Sequence, residues 1–239
     1  MKPGPLDLDR TDVLYCHIAT KRDQRPYNAA YYARNREQEI ERVARRQRAE
    51  VAWLRDLRRV PCMDCGGVFP PHAMDFDHRD RSQKRFNVAG RSLLRKRQVV
   101  LQEVAKCDIV CANCHRVRTY AAFEEGTLRP PVRDRLPDTP ERERARMKFR
   151  DAWRAQSELL RAFRSTPCMD CSKTFPWYVI EFDHRDPEQK IGGVTRMAGR
   201  VALARLLDEV AKCDIVCANC HRMRTYARRA VGSRLAGVL

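Results

Sequence analysis

The chain has 239 residues, with 48 Lys and Arg against 31 Asp and Glu, for a formal net charge of +17. That length allows one large domain or two small ones, and no apolar run approaches the ~20 residues a membrane span requires. No apolar segment of the signal-peptide kind follows Met1-Lys2-Pro3-Gly4-Pro5, so a cytoplasmic protein that does not engage membranes is expected. Every stretch is net positive, and a basic field spread over a whole chain attracts polyanions, nucleic acid foremost.

In chain order, residues 1–26 read as an irregular arm, and Cys16-His17 within it has no counterpart elsewhere and is given no role. Residues 28–59 contain no Pro or Gly and are rich in Ala, Arg, Glu and Gln, which favours helix. Ile40, Val43, Val51, Leu54 and Leu57 give this helix a partial apolar stripe. Beyond it, Val68-Phe69 and Ala73 to Asp77 read as short strands around Pro70-Pro71. Ser92 to Ala105 reads as a helix, Asp108 to Val110 as a strand, and Ala112 to Phe123 as a helix. Gly126 to Pro140 carries four prolines and reads as a linker. Thr139 as N-cap and Pro140 at the first helical position then open a second basic helix, to about Arg164.

The second half of the chain duplicates the first. Cys62-Met-Asp-Cys65 recurs as Cys168-Met-Asp-Cys171, and Phe76-Asp-His-Arg-Asp80 recurs as Phe182-Asp-His-Arg-Asp186, both at an offset of 106. Glu103 to Ala121 recurs at Glu209 to Ala227 with only Val117/Met223 differing. The expected layout is an arm and basic helix over 1–60, a first domain over 61–125, a Pro-rich linker and basic helix over 126–166, a second domain over 167–230, and a tail over 231–239. The fold class is α+β with very little sheet.

Eight of the eleven cysteines form four Cys-x-x-Cys pairs: Cys62/Cys65, Cys111/Cys114, Cys168/Cys171 and Cys217/Cys220. In each copy 45 residues separate the two pairs. Four thiolates suit tetrahedral Zn²⁺, and a two-residue gap lets one tight turn present both sulfurs. Units this small bury little core, so a metal staple is physically needed. One structural Zn²⁺ per copy, two in all, is expected. Cys107 and Cys213 stand outside that spacing and are expected as small buried residues at the start of a strand.

Four of the six histidines are also duplicated: His78 and His184 after Asp77 and Asp183, and His115 and His221 directly after the last cysteine of each cage. Consecutive helical residues diverge by about 100°, so if Cys114 faces zinc, His115 faces elsewhere, toward the strand carrying Asp77. A carboxylate and an imidazole meeting there can hold a second metal with open positions, leaving His78 to take a proton from water. Asp77 and His78 can serve one site only if the strand ends or bends at them. A hydrogen-bonded Asp-His pair with a purely structural role is the alternative.

The Cys-x-x-Cys knuckle, Phe-Asp-His-Arg-Asp, and Cys-Ala-Asn-Cys-His-Arg-x-Arg-Thr together resemble the HNH endonuclease family, the zinc-stapled branch of the ββα-metal (His-Me finger) nucleases. The resemblance covers most of 62–121 and 168–227. It implies two tandem, treble-clef-like ββα-metal domains, each preceded by a basic helix. It also implies His78 and His184 as general bases, and one divalent metal held by Asp77 with His115 and another by Asp183 with His221. Products would carry 5′-phosphate and 3′-hydroxyl ends. Many members place a base-orienting Asn five residues before the third cysteine. Here that position is Lys106 and Lys212, leaving Asn113 and Asn219 as the available substitutes.

The expectation is therefore a metal-dependent endonuclease of double-stranded DNA, with Mg²⁺ or Mn²⁺ at each catalytic site and Zn²⁺ not excluded there. A monomer would suffice, since the duplication supplies two sites. Arg45, Arg46 and Arg48 on the first basic helix, with Arg116, Arg118, Arg222 and Arg224 in the repeated motifs, are candidate DNA contacts, as are Arg34, Arg36, Arg142, Arg144 and Arg146 on the two helices. Such phosphate contacts give affinity rather than sequence choice. The competing reading is a zinc-stabilised, non-catalytic nucleic-acid-binding protein, which needs the cysteines and basic helices but has no use for the Asp-His pairs.

Overall fold

The computed structural model describes residues 25–89, 95–126 and 139–236. The expected irregular arm with Cys16-His17, most of the Pro-rich linker and the last residues of the tail lie outside the described residues. The chain divides into two compact units, 1–49 and 50–239, and the second contains both repeats. Helix α1 (Arg25–Asp56) leaves helical geometry at Asn35 (φ −113°, ψ 17°), where the side-chain amide donates to Tyr31 O at 2.8 Å. Arg34, Arg36, Arg45 and Arg46 are exposed on it, and Arg48, also exposed, pairs with Glu41.

Each repeat is built around one hairpin-like ladder followed at once by a helix. In the first, β1 (Met74–His78) pairs antiparallel with β2 (Cys107–Cys111), and α3 (Ala112–Glu124) begins at the next residue. The short helix α2 (Arg97–Val104) precedes β2. In the second repeat, α4 (Pro140–Phe163) is capped by Thr139, whose Oγ1 accepts the Arg142 N–H at 3.4 Å. It leads to β3 (Ile180–His184), the one-turn helix α5 (Val194–Met197), α6 (Leu203–Val210), β4 (Cys213–Cys217) and α7 (Ala218–Ala236). The strand register recurs at the same offset: His78 faces Cys107 and His184 faces Cys213. Among the described residues, mixed helix with two two-stranded sheets is the α+β architecture expected.

The expected strand at Val68-Phe69 is absent from the ladders of the described residues. The cysteine knuckle just ahead of it closes on itself. The Cys62 N–H donates to Gly67 O at 2.9 Å and the Gly66 N–H to Cys62 O at 2.9 Å. The turn needs a left-handed residue, supplied by Gly66 (φ +66°) and, in the second repeat, by Ser172 (φ +58°).

The repeat also reaches further upstream than the motifs suggest. Leu54 at the end of α1 and Leu160 at the end of α4 are both buried, one offset apart. Arg58 and Arg164, each just past its helix, lie over the rings of Phe76 and Phe182. In the first repeat Leu54, Val88, Val100 and Cys107 form one buried cluster and Cys62, Met74, Val110 and Cys111 another. In the second, Leu160, Val194, Met197, Leu206 and Val210 belong to a larger one.

The two repeats pack on one another about a local pseudo-twofold. The Asn113 N–H donates to Asn219 Oδ1 at 3.1 Å and the Asn219 N–H to Asn113 Oδ1 at 2.9 Å, so each helix start is capped by the other repeat. His72 stacks on Tyr226 at 4.0 Å between ring centroids, and its equivalent Tyr178 stacks on Tyr120 at 3.9 Å. No helix among the described residues is long and apolar enough to cross a membrane.

Candidate metal and catalytic centres

The sulfurs of Cys62, Cys65, Cys111 and Cys114 lie within 4.8 Å of one another, as do those of Cys168, Cys171, Cys217 and Cys220. The knuckle turn presents the first pair, while the end of the second strand and the first turn of the adjoining helix present the second. Each set could hold one metal ion, and four soft ligands so disposed suit Zn²⁺. The Cys111 N–H donates to Cys62 Sγ at 3.2 Å, as the Cys217 N–H does to Cys168 Sγ. Burial opposes ionisation of Cys62, but N–H groups of Cys65, Cys111 and Asp64 outweigh it and bring the thiol down to about 7. Cys107 and Cys213 open β2 and β4 as buried thiols, and burial pushes both up to about 11. They match the expected small buried residues at a strand start, and a raised thiol in such a place is unreactive.

His115 turns away from the sulfurs toward β1. Its Nδ1 lies 2.8 Å from Asp75 Oδ2 and its Nε2 3.5 Å from Asp77 Oδ1. In the second repeat His221 Nδ1 meets Glu181, and its Nε2 lies 3.2 Å from Asp183 Oδ1. β1 ends at His78, which allows Asp77 and His78 to line one cleft together with Asp75, Lys84, His115 and Thr119. A carboxylate oxygen and an imidazole nitrogen are two donors of the kind a divalent cation takes. The same carboxylates, Asp77 and Asp183, are also reached by Arg118 at 3.4 Å and Arg224 at 3.3 Å.

The partner of His78 is a residue that the motifs alone did not single out. His78 Nε2 lies 2.9 Å from Glu103 Oε1, and both side chains are nearly fully buried. Glu103 is gripped in turn by Lys106 Nζ at 2.8 Å and by the Arg85 N–H at 2.7 Å. Desolvation would raise the Glu103 carboxyl, but the bonds from Lys106, the Arg85 N–H, His78 and the Phe86 N–H outweigh it and hold it at about 2. As a carboxylate it only accepts, so Nε2 of His78 carries a hydrogen. The set recurs as His184, Glu209 and Lys212, with 2.8 Å for both bonds. Lys106 and Lys212 thus act on the histidines through a buried glutamate. The signal was present in the sequence, because Glu103 and Lys106 both lie inside the longest repeated run.

This pair makes stability depend on pH. Glu103 and Glu209 are held at about 2 against an ordinary value near 4.5. Their contribution is therefore complete above about 4.5 and is lost as pH falls toward about 2. A Glu103→Gln/Glu209→Gln variant should be less stable than the parent at pH 6, by about 1–3 kcal/mol per site. In denaturant titrations that gap should close as the pH is lowered through this window. A gap independent of pH would contradict the assignment.

Two sets of expected site residues are engaged within the chain. The side-chain oxygens of Asn113 and Asn219 cap the opposite repeat's helix, while His78 and His184 are engaged by glutamates. Four of the candidate DNA-contact arginines are committed to carboxylates of the chain itself. Arg118 binds Asp64 and Asp108, and Arg224 binds Asp170 and Asp214. Arg116 and Arg222 cross to Glu181 and Asp75 of the other repeat.

The repeats also differ at one place that matters. Asp183 is clamped by Arg228, at 2.9 and 2.7 Å to its two oxygens. The equivalent of Arg228 in the first repeat is Ala122, and there an open groove lined by Asp77, Arg118, Ala121 and Ala122 runs beside the carboxylate.

Comparison of the chain with protein-family models, with curated proteins and with solved structures finds no match.

Proposed function

We propose that the protein is a metal-dependent endonuclease acting on double-stranded DNA, with one HNH-type site in each repeat and a zinc-stapled ββα scaffold around each. The observation that carries this reading is the convergence, twice, of Asp77 with His115 and of Asp183 with His221, beside a histidine whose tautomer is fixed by a buried glutamate. A nucleic-acid-binding module stapled by zinc would have no use for such a set.

In this reading Asp77 with His115, and Asp183 with His221, hold one divalent cation each, Mg²⁺ or Mn²⁺. When bound, that cation would supply charge stabilisation at the scissile phosphate and the leaving oxygen. His78 Nδ1 accepts the proton of the attacking water, while Glu103 stabilises the imidazolium that forms and keeps the ring in place. Exposed arginines of the basic helices, Arg45 and Arg46 among them, supply phosphate contacts and hence salt-dependent affinity.

A short labelled duplex incubated with zinc-loaded protein and Mg²⁺ or Mn²⁺ should be cut only when the cation is present. The fragments should carry 5′-phosphate and 3′-hydroxyl ends, which ligase rejoins. Duplex that is retarded in a gel but stays intact across a panel of sequences would favour the binding module.

A further inference from the structure

We infer that each catalytic centre is completed by the other repeat: Arg222 of the second repeat positions the His115 centre of the first, and Arg116 of the first positions the His221 centre of the second. The proposal rests on the nuclease reading above and adds to it a pair of positioning residues and a dependence of each site on its neighbour.

The chain of contacts is continuous. Arg222 Nη1 donates to Asp75 Oδ1 at 2.7 Å, while the other oxygen of the same carboxylate, Oδ2, accepts from His115 Nδ1 at 2.8 Å. Arg116 likewise binds Glu181 Oε1, and Glu181 Oε2 receives His221 Nδ1. Arg116 Nη1 also donates to Tyr178 O at 3.2 Å, which fixes the guanidinium against the strand end. A carboxylate that accepts from Nδ1 leaves Nε2, which faces Asp77 or Asp183, as the nitrogen through which the neutral ring would ligate a metal. If Asp75 were free to rotate, His115 would lose both its tautomer and its ring angle. The arginine that prevents this comes from across the pseudo-twofold.

The placement is set by the sequence. Arg116 and Arg222 immediately follow His115 and His221, so each helix sends one side chain to its own metal centre and the next to its neighbour's. The Asn113/Asn219 caps and the His72/Tyr226 and Tyr120/Tyr178 stacks hold the two helix starts close enough for the exchange. Asp75 and Glu181 differ by one methylene yet fill the same role, and the ion pairs cross in both directions.

The test separates the two sites. In a His184→Ala background, where only the first site acts, Arg222→Gln should lower the nicking rate about 10–100-fold, the usual scale for loss of a residue that orients a metal ligand. It should do so much more than Arg116→Gln does. In a His78→Ala background the order should reverse, and Arg222→Lys should recover part of the loss in the first site. Simple destabilisation would lower both backgrounds alike and would overturn the proposal. A second readout needs no activity. In ¹⁵N-histidine spectra of the zinc-loaded protein without added Mg²⁺ or Mn²⁺, Arg222→Gln should shift the ring nitrogens of His115 and spare those of His221, and Arg116→Gln the converse. Selective shifts with no DNA cleavage in any variant would support the cross-repeat contacts and remove the nuclease reading. Cleavage with unselective shifts, or none, would do the opposite.

Discussion

Substituting His78 or His184 alone should convert double-strand cleavage into nicking, with each change costing the affected site about 10²–10⁴ in rate, the range expected for a lost general base. Each repeat carries its own histidine, glutamate and Asp/His pair, so neither site needs the other's base to act. The two nicking variants should nonetheless be unequal. With His184→Ala the active centre is the first repeat's, where Ala122 leaves a groove beside Asp77. With His78→Ala it is the second repeat's, where Arg228 already occupies both oxygens of Asp183 and must be displaced before a cation binds. The first variant should therefore nick faster, and Arg228→Ala in the His78→Ala background should narrow the difference. Loss of all cleavage on either single substitution would rule out independent sites.

Stripping the four-cysteine sites should unfold residues 50–239. In the first repeat the buried clusters are small: Leu54, Val88, Val100 and Cys107 make up one, with Trp53, Leu57, Phe76 and Val104 partly buried against it. Folded domains are stable by only about 5–15 kcal/mol in total, whereas a structural zinc contributes apparent binding energies of about 10–16 kcal/mol in zinc-finger peptides. A thiol-directed mercurial should release two equivalents of zinc per chain, one for each four-cysteine set. Near-ultraviolet dichroism should vanish with the metal. Cys111→Ser should have the same effect through the first site alone, and because the repeats cap each other's helices it should destabilise the second as well. A metal-free chain with an unchanged melting temperature would show that the cysteines are packing residues instead.

Much of this arrangement was legible in the sequence because the duplication displays it twice. The cysteine spacing, the strand bearing Asp77-His78 and the helix bearing His115 all lie in repeated runs, and local periodicity placed their elements to within a few residues. The features that escaped were carried by long-range contacts. Glu103 lies 25 positions from His78, and only the fold makes it that histidine's partner. Asn113 sits inside the cage motif, close to His115 in sequence, but the pseudo-twofold turns its side chain to the other repeat. Arg116, Arg118, Arg222 and Arg224 read as spare positive charge because the carboxylates that neutralise them lie between 10 and 147 positions away. Val68-Phe69 has strand-forming composition, but among the described residues neither two-stranded ladder includes it. Net charge describes the chain as a whole and does not reveal which cations are already paired.

The most direct test of a two-site nuclease is supercoiled plasmid incubated in Mg²⁺ or Mn²⁺ with zinc-loaded protein and, in parallel, with the His78→Ala/His184→Ala double variant. The parent should nick and linearise the plasmid only when the cation is present. The double variant should do neither, while still binding the plasmid and keeping its zinc. Plasmid cut equally by both proteins, or bound but left intact by the parent, would contradict the assignment of His78 and His184 as general bases.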